Sequence, residues 1–582
     1  MSTPGEGTRN RNLELLRARN PAVAARCERV AALGRHVSLE SARSGHPVPT
    51  VRREERLRWL HSRVDPLREA ERLVSLLPET SGFLVVFGLG GGYHVRQLLA
   101  RPGTRRVLVV ETAAEWLVPA LGVPDMEEVF SDPRVAFHLS EDGAELEARV
   151  AEHYLPLFHR EASFLPLRGR VDLDAEAFRK LQERAGAGVE ACLADFATQR
   201  AFGRRWMHNI LVNLLRLSGR RPENPGASHG TAAVVTAAGP SLETLFSRED
   251  PAGGRTALDS GAPLVATDTS LPMLLQRGMA PDLLVSLDSQ GASYHHLLRG
   301  IPAKTLVVAP LSAAPVVMRL ASRICASIGG HPLEHYLAEG WRGLPRLYTR
   351  GGSVTHAALD LARRQLETTE IFLYGADFAY PGGAAYARDS YMHRHFRLRE
   401  QRLRPAEGGF ADFVYRRARL DSEHDREAGG SSDGEIRYRS ALLEGYRQRF
   451  EGLVKELGVS LSRAPARASG RRGESPLQPD RRPAPENAPE ARRGGGLPDP
   501  RPTLARYLEG LEALGTPDEE AATLDPAQLP PEERRLWSTL TPLAASLSAT
   551  PEGRATPAEA PGRLLVRARE ESLQLLRSLL GT

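Results

Sequence analysis

Lysine is nearly missing from this chain: Lys180, Lys304 and Lys455 are the only three among the 77 basic side chains of its 582 residues. A Walker-type phosphate loop needs Gly-Lys-Ser or Gly-Lys-Thr, and the residues before these lysines are Arg179, Ala303 and Val454, so that loop is excluded. Against 72 acidic groups the formal net charge is only +5, with arginine spread along the whole chain, which argues against a dedicated nucleic-acid binder, whose basic groups would cluster. Cysteine is as scarce. Cys27, Cys192 and Cys325 stand far apart without a CxxC pair, so neither a disulfide framework nor a zinc ribbon is supported. A reducing cytoplasm is the simplest compartment. Met1 to Asn12 are polar, and no run approaches the roughly 18 uninterrupted apolar residues of a membrane span, so neither a secretory leader nor a span is expected.

What is present divides the chain by texture. Residues 1–75 read as charged and helix-rich, through Asn12 to Arg19, Ala22 to Leu33 and Pro66 to Leu77. From Phe83, short β-branched runs alternate with helical segments, which predicts βαβ units and a parallel sheet over 76–174. A helical connector (175–230) leads into a second alternation over 231–400, with strands at Ala232 to Thr236, Leu264 to Ala266, Leu283 to Leu287, Leu306 to Ala309 and Ile371 to Tyr374. The expected class is α/β: two Rossmann-like parallel-sheet domains with helical additions at both ends. A helical extension (401–463) ends in a helix over Ser440 to Leu457, apolar at close to a 3.6-residue period. Residues 464–502, dominated by Pro, Gly, Arg and Glu, read as a disordered linker, because such a stretch buries too little apolar surface to offset ordering entropy. Short amphipathic helices follow over 503–582.

Two glycine turns are candidate ligand sites. The first, Gly88-Leu-Gly90-Gly91-Gly92, follows a strand and precedes Glu111 at the end of the next; it fits a nucleotide turn or a Rossmann turn kept for its geometry. The second is richer. The strand ending at Thr236 runs into Gly239-Pro240-Ser241, where a helix start would present N–H groups to a phosphate. Thr267-Asp268-Thr269 and Asp288-Ser289 end the next two strands, at the carboxyl edge where open α/β sheets bind ligands. Gly352-Ser353 opens a helix, and Gly375-Ala-Asp377 ends a further strand before a loop with Tyr380, Tyr386, Arg388, Tyr391, His393 and His395. Each element also has a bland reading as a cap or turn. The pairs His295-His296 and His393-Arg-His395 lack ligand spacing and read as surface histidines, and Asp172-Leu-Asp174 reads as a helix cap.

The succession Ala238-Gly-Pro-Ser-Leu242, Ala266-Thr-Asp-Thr-Ser-Leu-Pro-Met-Leu-Leu-Gln-Arg-Gly-Met-Ala-Pro-Asp282, Val285-Ser-Leu-Asp288, Gly352-Ser-Val354 and Leu373-Tyr-Gly-Ala-Asp-Phe378 resembles the motility accessory factor family. The resemblance is strongest over about 231–391 and extends to 55–400 through Leu60 to Arg72, the turn at Gly88 and Phe202 to Asn213. The central domain is also similar to archaeal 6-hydroxymethylpterin diphosphokinase and to bacterial sialyltransferases. The resemblance implies a flagellin glycosyltransferase supporting flagellar assembly and motility. Its donor would be a CMP-activated nonulosonic acid of the pseudaminic, legionaminic or sialic type, and its acceptor Ser or Thr of flagellin. It implies that Gly239, Pro240 and Ser241 hold the CMP with Ser353 near its phosphate or ribose, that Tyr380 or Tyr386 donates to the departing phosphate, and that His393 is the base. No cofactor is firmly implied; a divalent metal stays open. Two other readings stay open as well: a Mg-dependent pterin or nucleotide diphosphokinase, for which Asp268, Asp282 or Asp288 would have to converge, and a non-catalytic flagellin-binding scaffold.

Overall fold

The structure is a computed structural model. It describes residues 6–31, 37–53, 56–143, 145–220, 223–226, 230–247, 250–339, 344–381, 383–403, 405, 408–409, 412, 437–465, 492–493, 499–515, 529–551, 553 and 561–581. The chain divides into two compact units, the first of Met1–Gly203, Thr516–Trp537 and Thr541–Ala568, the second of Arg204–Gly515, Ser538–Leu540 and Arg569–Thr582. The C-terminal stretch 503–582 is thus divided between the two. No helix among the described residues is long and apolar enough to cross a membrane.

In the first unit, helices Glu6–Arg19 and Pro21–Ala31 precede a three-stranded antiparallel sheet of β1 (Val37–Ser41), β2 (Pro47–Arg53) and β3 (Arg56–Trp59). The helix-rich reading of 1–75 is corrected here. Pro47 and Pro49 do not suit a helix interior, and β2 is instead paired on both sides, with β1 and with β3, burying Val48, Pro49 and Thr50. Beyond helix Pro66–Ser75, β4 (Ser81–Phe87), β5 (Arg106–Glu111), β6 (Val135–Leu139) and β7 (Glu161–Pro166) form a parallel sheet ordered β6-β5-β4-β7. Every residue of β4 is buried, with Leu84 and Val86 entering one core and Phe83, Val85 and Phe87 another. A strand covered on both faces loses the alternation of a half-exposed one, hence its unbroken apolar run.

The helix Ala175–Arg216 crosses the division between the units within its own length. In the second unit, β8 (Glu223–Asn224) precedes β9 (Ala232–Thr236), β10 (Leu264–Thr267), β11 (Leu283–Val285), β12 (Leu306–Pro310), β13 (Arg323–Ser327), β14 (Glu370–Tyr374), β15 (Tyr380–Pro381), β16 (Arg437–Tyr438), β17 (Ser460–Arg463) and β18 (Arg492–Arg493). The main sheet has seven strands ordered β13-β12-β11-β10-β9-β14-β17, and every described pairing in it is parallel. Strand order reverses beside β9, so the loops after β9, β10 and β14 meet at a switch point, where such sheets bind ligands.

Three expectations change. The segment 401–463 is more than a helical extension: helix Ala441–Leu457 packs Phe450, Leu453 and Leu457 into the sheet's core and returns the chain as β17. The signal for β17 was weak because a four-residue edge strand carries few apolar positions. Helix Val354–Arg364, whose apolar set Val354, Ala357, Ala358, Leu361 and Ala362 predicts one buried face, has eight consecutive buried residues from Thr355 to Ala362, since it packs against both the sheet and Ala441–Leu457. Within 464–502, most of which lies outside the described residues, Arg492–Arg493 pairs with β8.

The loops at the carboxyl edge are held by buried polar groups. Asn209 and Asn213, one turn apart on a helix and so facing the same way, donate to Ser289 O and Ser312 O at 3.0 Å and to Leu311 O and Ala313 O at 2.8 Å. Glu334 accepts from Ser312 N and Gly329 N at 2.7 Å, yet burial pushes its carboxyl up to about 7. A raised carboxyl keeps its proton in the folded state after the unfolded chain has lost it. Stability contributed by Glu334 should therefore fall as pH rises from 4.5 to about 7. Urea unfolding across that window checks this: the Glu334→Gln profile should be flatter than wild type by about 1 kcal/mol per pH unit, though lower throughout. Parallel profiles would refute it.

Candidate functional site

The centre of the site is where β9 and β14 end side by side. Ala237 N donates to Tyr374 O at 2.8 Å and Gly239 N to Gly375 O at 2.8 Å, carrying the ladder past the strands into their loops. The two turns then lock together: Gly375 N donates to Ser241 Oγ at 2.9 Å, and Ser241 N donates to Asp377 Oδ2 at 3.1 Å. Neither glycine tolerates a side chain. A Cβ on Gly239 would collide with the Asp377 carboxylate, and one on Gly375, whose φ is +73°, would collide with Ala237 O. Pro240 sits in the first turn of the short 3₁₀ helix Pro240–Phe246, where its missing N–H costs nothing. Of the two sequence readings of Ser241, as a helix cap and as part of a nucleotide turn, the cap is not what is observed: its hydroxyl serves the neighbouring turn.

Polar groups continue along the carboxyl edge. Thr236 and Ser270 hydroxyls lie 3.1 Å apart, joining the ends of β9 and β10, and Ser286 Oγ donates to Asp268 Oδ2 at 2.7 Å, joining β10 to β11. Asp268 also accepts from Thr269 N at 2.8 Å, and the Thr267 and Thr269 hydroxyls pair at 3.0 Å. Burial pushes the Asp268 carboxyl above its ordinary range. Asp288 accepts from Gln290 N at 2.8 Å, and Ser289 is the residue whose carbonyl Asn209 grips. Asp282 is elsewhere: it accepts from Leu264 N at 2.8 Å, at the amino end of β10, so the three carboxylates do not converge. No group of three or more His, Cys, Asp or Glu suited to a metal occurs among the described residues.

The loop after β14 lies against this edge. Ala387 N donates to Ala238 O at 2.8 Å, which puts Tyr386 next to the Gly239 turn, and Glu243 takes both Arg388 N (2.8 Å) and its guanidinium (2.7 Å). Tyr380 pairs with Tyr438 in the β15–β16 ribbon, and burial raises its phenol. His393 is half-buried on helix Tyr391–Arg397, whose Ser390 cap accepts from His393 N at 3.2 Å. Burial lowers its pKa, with Asp389 pulling the other way, so its imidazole is neutral near pH 7. Phe378 holds a φ of +47°, rare for an aromatic residue, against Phe450 and His356 at ring distances of 5.3 and 6.1 Å. Gly352 and Ser353 have other partners. Gly352 packs on Tyr446 of Ala441–Leu457, and Ser353 caps its own helix by accepting from Thr355 N at 3.3 Å.

The histidine pair at 295–296 is not simply a surface feature. His295 stacks on Tyr391 at 4.5 Å and 7°, and His296 meets the edge of the same ring at 6.0 Å. His296 is mostly covered: burial lowers its pKa while Asp268 and Asp288 raise it, and its Nδ1 is buried without a hydrogen-bond partner. The clue in the sequence was position, directly after the β11 strand end, rather than spacing.

The first glycine turn is filled from within the first unit. A Cβ on Gly88 would meet Arg170 Cγ at 2.7 Å, and one on Gly90 would meet His61 Nε2 and Leu167 Cδ2 at 2.7 Å. Glu111, expected to face a ribose, is fully buried; it accepts from Leu89 N at 2.8 Å and pairs with Arg170 at 3.1 Å. Of the two readings, the turn kept for its geometry is the one these contacts fit.

Residues 38–155 match the family model described as glycosyltransferase Maf N-terminal domain, and residues 205–383 match 6-hydroxymethylpterin diphosphokinase MptE-like. These matches, with the structural likeness below, support the motility accessory factor (Maf) family. Among solved structures, the Maf glycosyltransferase from Magnetospirillum magneticum AMB-1 shares this Maf fold with a TM-score of 0.58, over 99% of this chain and 96% of that one, at 14% identity. Two uncharacterized proteins of Treponema pallidum (strain Nichols) are similar in sequence. One is 27% identical over 187 residues, 31% of this chain and 63% of its own length; the other is 28% identical over 170 residues, 29% of this chain and 78% of its own. The MptE-like match contains every element of the carboxyl edge from Asn209 to Tyr380, and the Maf N-terminal match contains the filled turn at Gly88.

Proposed function

We propose that this chain is a glycosyltransferase that moves a nonulosonic acid from its CMP-activated form to a Ser or Thr hydroxyl of flagellin, in support of flagellar assembly and motility. The observation that carries this reading is the position of the interlocked Gly239–Ser241 and Gly375–Asp377 turns at the switch point of the sheet, where such sheets bind ligands; their own N–H groups bond to one another, so the phosphate would be met by side chains of the loops around them. The Maf N-terminal match supports the glycosyl-transfer class.

In the proposed step the acceptor oxygen attacks the anomeric carbon, the bond from that carbon to the phosphate oxygen breaks, and CMP leaves with the electron pair. The acceptor's proton goes to His393, which burial keeps unprotonated and so able to act as a base. Tyr386, next to the Gly239 turn, donates to the departing phosphate; Tyr380 is the alternative donor. A departing monophosphate needs less charge neutralisation than a diphosphate, and hydrogen-bond donors can supply it. Of the three carboxylates the diphosphokinase reading could draw on, Asp282 belongs to the other end of the sheet, which leaves it Asp268 and Asp288.

Calorimetry with CMP, and separately with ATP and Mg²⁺, tests the reading. CMP should bind, and Ser241→Trp, which fills the cradle, should weaken it by at least about tenfold, a loss of roughly 1.4 kcal/mol. Binding of ATP alone would transfer support to the kinase, and silence with both to a scaffold.

A further inference from the structure

The first unit contains a cavity of about 670 Å³ that the proposed transfer does not use. It lies at the amino end of β5 and β6, where Arg106 opens one strand and Val135 the other, so it is at the opposite edge of that sheet from the glycine turn. Its walls carry Arg19, Arg106, Arg149 and Arg534, with His153 and a single carboxylate, Glu152. Glu152 is already paired with Arg149 at 2.5 Å, and Asp132, the other carboxylate near Arg19, is held by Arg134 at 2.7 Å. The wall is thus strongly cationic.

Two further observations indicate what would neutralise it. Arg106 donates one guanidinium N–H to Pro133 O at 2.8 Å and another to His153 Nδ1 at 2.7 Å. Arginine is always a donor, so Nδ1 must accept and the ring proton of the neutral imidazole sits on Nε2. His153 is 8% exposed, and its Nε2 has no hydrogen-bond partner. A buried N–H without an acceptor is costly, and burial together with Arg106 and Arg149 holds the ring neutral, with its pKa down to about 3. Second, helix Pro21–Ala31 begins in the wall: Ala22 and Val23 line the cavity, and N–H groups of a first helical turn have no partner within their helix. Arginine forks, a donor imidazole and a helix N-terminus are together the equipment for phosphate oxygens.

We propose that this cavity is a binding site for a small phosphate-bearing anion, separate from the cradle at Ser241. Its volume falls within the range of ligand pockets, about 300 to 1,000 Å³, enough for a pyrophosphate or a nucleotide.

Calorimetry of the full chain with inorganic pyrophosphate, in low salt and without added metal, tests it. Saturable binding is expected, weakened at least about tenfold in Arg19→Ala/Arg149→Ala and strengthened in Glu152→Gln, while Ser241→Trp leaves it unchanged. ADP in place of pyrophosphate separates the two sources: tighter binding of ADP indicates a nucleotide, equal binding the phosphate groups alone. Both arginines are at the surface, so their loss should not alter the melting temperature of the free protein. No saturable binding, or binding undiminished in the double variant, would overturn the assignment.

Discussion

Gly375→Ala is expected to destabilise the second unit by about 4 kcal/mol, through two effects that add at one position. Its φ of +73° is unfavourable for any residue with a Cβ, and the new methyl would occupy the space of Ala237 O. The backbone must open at that point, which breaks the bonds from Gly375 N to Ser241 Oγ and from Gly239 N to Gly375 O. The damage is therefore to the cradle as well as to the fold. Thermal unfolding followed by circular dichroism should show a fall on the order of 10 °C in the transition of that unit, with CMP binding lost even below it. A variant that melts with wild type and binds CMP equally would mean that the two turns are not locked as described.

Arg170→Met is the second large effect. Arg170 is fully buried, pairing with Glu111 at 3.1 Å, Asp174 at 2.7 Å and the Thr112 hydroxyl at 2.6 Å, with its guanidinium 3.7 Å from the centre of the Trp116 ring. Methionine keeps much of the volume but leaves the Glu111 carboxylate buried beside an apolar chain, a change costing about 3 to 5 kcal/mol. Burial already raises the Glu111 carboxyl. Without Arg170 the raise grows, so the variant should lose more stability as pH climbs above the ordinary carboxylate value, the folded state retaining a proton that the unfolded state sheds. Urea unfolding at pH 5 and pH 8 reads both. Glu111→Gln added to Arg170→Met should recover most of the loss; no recovery would mean that the cost came from packing against Trp116 and Phe178.

The parallel sheets were legible because their central strands are buried on both faces. Runs such as Phe83 to Phe87 and Ala232 to Val235 are apolar without interruption, and each lies in an observed strand. Edge strands were not legible: β7 carries Glu161 and Ser163, and β17 is half polar, so neither leaves a contiguous apolar signal. The cradle residues Gly239, Ser241, Gly375 and Asp377 could be named from their places at strand ends, but 134 residues separate Ser241 from Gly375, and no local pattern reveals which hydroxyl meets which N–H. The same holds for the filled turn. Gly88 to Gly92 reads like a nucleotide loop in one dimension, and only the arrival of His61, Leu167 and Arg170 in space shows it occupied.

The place of β17 at the end of the order β13-β12-β11-β10-β9-β14-β17 also bears on how the chain is made. During synthesis β14 is complete at Tyr374, long before its neighbour begins at Ser460. Throughout that interval one side of β14 has unpaired N–H and C=O groups beside a hydrophobic core, the kind of open edge on which nascent chains associate. A chain truncated before Ser460 should therefore carry its cradle residues in full and still be a poor soluble protein, with aggregation rather than loss of chemistry as its first defect.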